Sequence, residues 1–293
     1  MCGLNGIFAY GDTASPPCER ELLRTRDHMA ARGPDGAGLW MSEDVRVGLG
    51  HRRLSIIDLS DRSNQPMHSN DGGRVIVFNG EIYNLPELRR ELQAAGCVFR
   101  TSSDTEALLH LHAQMGAAMT DRLRGMYAFA IWDNDERSLF LARDPFGIKP
   151  LYYADDGSTF RFASQVKALL AGGAIITSTD PAGVVGFHLW GSVPEPFTLQ
   201  TAIRALPAGC SMTIKMGRGA EGPNSFISLP GEMARGALTP IPEPDLAVCI
   251  REAARDSVAA HLLADVEVGL FLSAGIDSCA LLGLMSDASA QRV

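Results

Sequence analysis

The chain opens Met1-Cys2-Gly3-Leu4-Asn5-Gly6-Ile7-Phe8. Leu4, Ile7 and Phe8 are apolar and Gly3 and Gly6 stand between them, the composition of a buried strand that lets other backbone come close. With Met1 removed, Cys2 carries both a thiol and the free α-amino group. A thiol titrates near ~8.5 and an α-amine near ~7.7–8.0, so a neutral amine is at hand around neutral pH to take the thiol proton. One residue then supplies a nucleophile and its base without a histidine partner. The competing reading of Cys2 is an incidental cysteine on a disordered end, and the strand pattern that follows argues against it.

At 293 residues the chain has room for one large or two ordinary domains. Hydrophobic residues make up 46% and charged residues 20%, ordinary values for a globular protein with a sizeable core. A net charge of −8 argues against a nucleic-acid footprint or a basic membrane patch. No run approaches the ~18 apolar residues of a membrane span. The N-terminus lacks the basic start of a secretory signal, so the expectation is a cytoplasmic protein without membrane or nucleic-acid partners. Six cysteines, at 2, 18, 97, 210, 249 and 279, form no C-x-x-C pair, and no Cys/His cluster has zinc spacing. No metal site is expected: His110 and His112, two apart on a predicted helix, face different sides. Nor does a chain this long with a cytosolic start need disulfides.

Outward from the N-terminal strand, Glu19 to Ala31 reads as a helix broken by the turn residues Arg32-Gly33-Pro34-Asp35-Gly36. Val45 to Leu49 reads as a strand. Val75-Ile76-Val77-Phe78 is an all-apolar run suited to burial on both faces, ending in Asn79-Gly80. Pro86 to Ala95 is a helix closed by Gly96, and Ser103-Asp104-Thr105-Glu106 has capping-box spacing before another. Tyr127 to Trp132 pairs with Leu139 to Ala142, and Tyr152-Tyr153 with Phe160 to Ala163. Strand-rich, mostly antiparallel hairpins with a few helices put the first 165 residues in the α+β class, and helices with a last strand near Ser211 to Ile214 complete a domain over 2–214. Residues 215–244, punctuated by Gly and Pro, read as a linker. In 245–293 an amphipathic helix (Leu246, Ile250, Ala254, Val258, Leu262) precedes a strand over Val266 to Leu272, a small-residue loop Ser273 to Ser278, and a helix. Strand, loop, helix is the order of a phosphate-binding turn, with an ordinary turn as the alternative.

A cysteine that attacks an amide needs an oxyanion hole and a clamp for the substrate's charged end. Asn79 and Gly80 offer a side-chain and a backbone N–H for the first, although Asn-Gly is also a hairpin-turn signal. Arg53 can pair with a carboxylate in bidentate fashion, or lie idle on the surface. Asp104 and Glu81 can hold an ammonium, or serve as a helix cap and a solvated turn. Ser273 to Ser278 can cradle pyrophosphate on backbone N–H groups and hydroxyls. Taken together, the first set describes an α-amino acid with a side-chain amide, and glutamine fits.

The chain resembles the glutamine-hydrolysing asparagine synthetases. The matching segments are Cys2-Gly3, R-G-P-D-G at 32–36, H-R-R-L-S-I-I-D at 51–58, Q-P-M at 65–67, F-N-G-E-I-Y-N at 78–84, and T-S-S-D-T-E at 101–106. G-M-Y-A-F-A-I-W-D at 125–133, R-D-P-F-G-I-K-P-L-Y-Y at 143–153, L-P-A-G at 206–209 and the final loop complete a series in family order over almost the whole chain. The resemblance implies an N-terminal-nucleophile glutaminase domain, a four-layer αββα sandwich, followed by the start of an α/β ATP-pyrophosphatase-type domain. It implies Cys2 as nucleophile after loss of Met1, Asn79 and Gly80 as oxyanion hole, and Arg53, Glu81 and Asp104 as the glutamine clamp, assisted by backbone of Ile56 and Ile57. It places Leu272, Ser273, Gly275, Asp277 and Ser278 on the ATP pyrophosphate, and implies ATP and magnesium as cofactors of a synthetase half that amidates aspartate or a related carboxylate. A homodimer is one assembly it allows. Ala274 stands where the family usually has glycine, and the run after the loop is short for a nucleotide-binding domain, so the synthetase half is expected to be incomplete. The other readings are a glutaminase feeding ammonia to a partner protein and a non-catalytic glutamine-binding regulatory module; Cys2 disfavours the latter.

Overall fold

A computed structural model describes residues 1–238 and 241–288. In chain order the elements are β1 (Gly3–Ala9), α1 (Glu19–Asp27), β2 (Gly36–Met41), β3 (Val47–Arg53), β4 (Met67–His68), β5 (Arg74–Ile82), α2 (Leu85–Ala94) and α3 (Asp104–Met115). Then follow β6 (Gly125–Asp133), β7 (Ser138–Arg143), β8 (Tyr152–Asp155), β9 (Thr159–Ala163), α4 (Val166–Gly172), α5 (Pro181–Trp190), β10 (Arg204–Ala205) and β11 (Cys210–Lys215). The last are β12 (Gly219–Ser225), α6 (Leu229–Ala237), α7 (Glu243–His261) and α8 (Ile276–Ala288).

The strands form two six-stranded antiparallel sheets, ordered β10-β8-β9-β1-β3-β2 and β12-β11-β7-β6-β5-β4. Alternation along each strand sends one set of side chains between the sheets. Leu4, Phe8, Val47, Leu49, Val75, Val77, Trp132, Leu141, Phe160 and Phe162 make that inner core. The outer face of the second sheet, with Ile76, Phe78 and Phe129, is covered by Leu88 and Leu92 of α2 and Leu108 and Leu111 of α3. Ala163 of the first sheet packs with Met29 and with Ala168 and Leu169 of α4. The result is helix, sheet, sheet, helix, the N-terminal-nucleophile sandwich expected from the sequence.

β1 lies inside its sheet, between β9 and β3, which accounts for its uninterrupted burial. Its glycines serve close approach, though to side chains rather than backbone: a β-carbon on Gly6 would meet the Phe162 ring at 2.4 Å. Two stretches depart from expectation. The 215–244 run holds β12, which pairs with β11 and extends the second sheet, and the helix α6. The expected strand over 266–272 does not form; among the described residues no neighbouring strand is there to take its hydrogen bonds. Phe271 is fully exposed. Among the described residues no helix is long and apolar enough to cross a membrane.

Candidate active site

The start of β1 and the end of β5 face each other across the sandwich, and a pocket of about 480 Å3, measured to its open mouth, lies there. Cys2, Arg53, Ile56, Ile57, Asn79, Gly80, Glu81 and Asp104 all line it, joined by Met1, Leu54, Ser63, Gln65, Phe78, Ser103, Thr105 and Lys149. The eight residues read from the sequence for glutamine are thus brought together. Leu272, Ser273, Gly275, Asp277 and Ser278 lie outside this pocket.

Cys2 sits just ahead of β1. The Leu54 N–H donates to its Sγ at 3.3 Å, and Arg32 Nε donates to its carbonyl at 3.0 Å. Burial pushes the thiol above its ordinary value; the Leu54 hydrogen bond, the chain's amino terminus, Lys149 and Arg53 oppose that. The Met1 amine is pushed below its ordinary value, first by burial, with the nearby Arg32 and Lys149 cations adding to the effect while Cys2 opposes it.

Asn79 and Gly80 are strand residues, paired with Ala128 and Tyr127 of β6, so the hairpin-turn reading of Asn-Gly fails. Asn79 is 1% exposed and its Nδ2 has no hydrogen-bond partner among the described residues. A buried donor left unpaired costs free energy and wants an acceptor. On the edge of β5 away from β6, Phe78 N–H donates to Gln65 Oε1 at 2.6 Å and Ile82 N–H to Asp104 Oδ2 at 3.1 Å. Strand N–H groups repeat their side every two residues, so the Gly80 N–H points to that same edge, between those two. A β-carbon at Gly80 would lie 2.3 Å from Met126 O, so only glycine fits against β6. His51 reaches from β3 to β5, and its Nε2–H donates to Phe78 O at 2.9 Å, pinning the residue before Asn79. Burial lowers its pKa to about 4, so the ring is neutral near pH 7.

Arg53 ends β3, and its guanidinium is partly committed. Nη1 donates to Ser60 O and Asn64 Oδ1, both at 2.9 Å, and Nη2 donates to Asp58 O. Of five N–H groups, two remain for a ligand carboxylate. Asp104 opens α3, but the N-cap is Ser103, which accepts from Thr105 N–H. Glu106 does not complete the capping box; it accepts from the Arg100 and Thr101 N–H groups at 2.8 and 2.7 Å. Burial raises Asp104 to about 7, held back by N–H groups of Ile82 and Thr105 and aided by the charge of Glu81. Burial also raises Glu81, while Lys149 opposes it.

Lys149 carries no assigned role in the sequence reading. Its backbone is placed by Asp144, whose carboxylate accepts the N–H groups of Tyr127, Phe146, Ile148 and Lys149 at 3.0–3.2 Å. Burial lowers the Lys149 ammonium while Glu81 and Cys2 hold it up. A lysine amid the apolar and turn residues of R-D-P-F-G-I-K-P-L-Y-Y was the available signal.

The 273–278 loop closes on itself. Ser273 N–H donates to Ser278 Oγ and Gly275 N–H to Ser273 Oγ, each at 3.2 Å; Ser273 and Gly275 are exposed, and among the described residues no strand precedes the loop. The described residues do not by themselves form a site for ATP or magnesium. Ala274 is outside the left-handed region, so its β-carbon brings no backbone strain.

A family model described as glutamine amidotransferase domain matches residues 1–224, and one described as asparagine synthase matches residues 249–293. Asparagine synthetase [glutamine-hydrolyzing] 1 of Bacillus subtilis is 39% identical over 279 residues, 95% of this chain and 43% of that protein. A putative asparagine synthetase [glutamine-hydrolyzing] of Mycobacterium tuberculosis is 39% identical over 302 residues, 97% of this chain and 45% of that protein. The chain therefore spans less than half the length of these relatives. The solved glutamine phosphoribosylpyrophosphate amidotransferase of B. subtilis shares the fold at 22% identity, with a TM-score of 0.54 over 75% of this chain and 48% of that one. With the amidotransferase model matching 1–224 and the sandwich in place, the chain belongs to the glutamine amidotransferase family.

Proposed function

We propose that this pocket hydrolyses glutamine to glutamate and ammonia, with Cys2 as nucleophile once Met1 is removed. The observation that carries the reading is the orphaned Nδ2 of buried Asn79, beside the free-edge N–H of Gly80 and on one pocket with Cys2. The Cys2 thiol gives its proton to the α-amine, and the sulfur attacks the amide carbon. The carbonyl oxygen gains negative charge and is held by Asn79 Nδ2 and the Gly80 N–H. The amine returns the proton to the leaving nitrogen, ammonia departs, and water hydrolyses the Cys2 thioester to glutamate. The two uncommitted N–H groups of Arg53 take the α-carboxylate; Asp104 and Glu81 take the ammonium, with Ile56 and Ile57 along the side chain.

For the whole protein we propose an asparagine synthetase of the glutamine-hydrolysing type. There, ammonia amidates a carboxylate, aspartate or a relative of it, activated by ATP and magnesium. Leu272, Ser273, Gly275, Asp277 and Ser278 would meet the pyrophosphate. The names of the relatives and the 249–293 match support this half. We place the protein in the cytoplasm and the boundary between the two units in the 215–244 stretch. The test is ammonia release from glutamine by the purified chain, with intact mass read on the same sample. Full activity with Met1 retained would overturn the proposed roles of Cys2 and its amine.

A further inference from the structure

The segment that follows α7 is tied to the wall of the glutamine pocket. Asp58 N–H donates to Asp265 Oδ2 at 2.7 Å, and Asp265 N–H donates back to Ile56 O at 2.9 Å. Ile56 and Ile57 line the pocket. Asp58 has φ of +52°, a left-handed backbone that aspartate adopts more readily than most residues through local hydrogen bonds. Its hydrogen bonds are all accounted for. Its carboxylate accepts Ser60 Oγ at 2.6 Å and Ser102 N–H at 2.8 Å, and its carbonyl accepts from Arg53, so only its N–H depends on Asp265. Outside the pocket lining, the Oη of Tyr83, two residues after Glu81, lies 2.8 Å from His261 Nε2, and Arg124 pairs with Asp256.

We infer that Asp265 is a positioning residue for the glutamine site: through two hydrogen bonds it sets the Ile56–Asp58 wall and, by way of the Asp58 carbonyl, the Arg53 guanidinium. This rests on the glutaminase reading. The segment from Asp256 to Asp265 thus contacts the glutaminase sandwich at the Ile56–Asp58 wall and, away from the pocket lining, at Tyr83 and Arg124. Cys2, Asn79 and Gly80 are carried by the sheets and do not depend on it. Losing Asp265 therefore weakens binding of glutamine and leaves the chemical step alone, since wall and clamp are used equally in ground and transition states.

The experiment measures glutaminase kinetics for the chain and for Asp265→Ala, Asp265→Asn and Glu267→Ala, with melting temperatures and with glutamine titrated onto each in a Cys2→Ala background. Asp265→Ala is expected to raise KM and the glutamine Kd roughly five- to tenfold, the effect of one lost hydrogen bond, with kcat within about twofold. Asp265→Asn, whose Oδ1 accepts the same N–H, is expected to restore most of the loss. Glu267→Ala, exposed and two residues on, leaves all values unchanged. An unaltered KM in Asp265→Ala overturns the inference. So does a parallel fall of kcat and melting temperature, or failure to fold, since either makes the contact merely structural. Absence of glutaminase activity in the unsubstituted chain instead overturns the glutaminase reading, and the binding titration then tests Asp265 on its own.

Discussion

Up to Ser225, an apolar side chain on a strand has a second sheet or a helix over it; between Glu243 and Ala288 it mostly faces water. Phe8, Phe129, Phe160 and Trp132 are all but fully buried in the sandwich. In the later stretch α7 carries Leu246, Val248 and Ile250 on its exposed surface, and among the described residues of α7 and α8 only Val258 and Met285 are buried. The difference lies in partners and not in local pattern. Both stretches have apolar residues at the right period, but only the first has layers that close over them. That is why the pocket beside Cys2 is preorganised, with His51, Gln65 and Asp104 each pinning β5, while the 273–278 loop spends its donors on its own hydroxyls.

The sharpest way to break this comparison is Cys2→Ala, which is expected to reduce ammonia release to background while glutamine still binds, measured by calorimetry. Retained turnover would mean the pocket is not where the chemistry happens. Core substitutions probe the same contrast in stability. Phe129→Ala should cost about 3–5 kcal/mol in denaturant unfolding, the usual loss for a buried phenylalanine. Ile250→Ala should stay within about 0.5 kcal/mol, as for an exposed site. Equal losses would show that α7 is covered after all.

Asn79→Ala should lower kcat roughly 10²–10³-fold, the typical loss of one oxyanion donor, with a smaller change in KM. Asp104→Ala should do the reverse and chiefly raise KM. The pH profile refines that second role. With Asp104 near 7, it is mostly neutral in the empty pocket below that pH, and a neutral carboxyl attracts no ammonium. KM for glutamine should therefore rise about tenfold per pH unit below 7 and level off above it, and Asp104→Asn should flatten the profile. The stability sign follows from the same shift. A carboxyl raised on folding favours the folded state at low pH and loses that advantage as pH climbs from about 4 to about 7. Asp104→Asn should accordingly gain melting temperature over the parent at pH 8 and not at pH 4. The smallest expected signal is from the other region: glutamine, aspartate, ATP and magnesium supplied together should yield glutamate with no asparagine or pyrophosphate. Stoichiometric asparagine would show that the 273–278 loop works without the sheet it lacks here.

Much of this could be read along the chain. Continuous apolar runs such as Val75–Phe78 and Tyr127–Trp132 mark strands buried on both faces whatever they pair with. Cys2, Asn79-Gly80 and Asp104 sit in segments dense enough in family motifs to be singled out, and all of them meet at one pocket. Other features were invisible because they depend on contacts far apart in sequence. Asn-Gly reads locally as a turn; it is a strand here because β6, more than forty residues on, pairs with it. Arg53 offers five donors on paper and two in the fold, because the Asp58–Asn64 loop curls back to take the rest. Lys149 enters the site only through the Asp144 turn. The run over 266–272 has the composition of a strand and is none, since a strand exists only with a neighbour to accept its hydrogen bonds. Periodicity and motif thus marked most strands and helices of the sandwich and the candidate residues that line one pocket. Pairing, burial and the sharing of donors, which act across the chain and not along it, decided which of those residues are free to act.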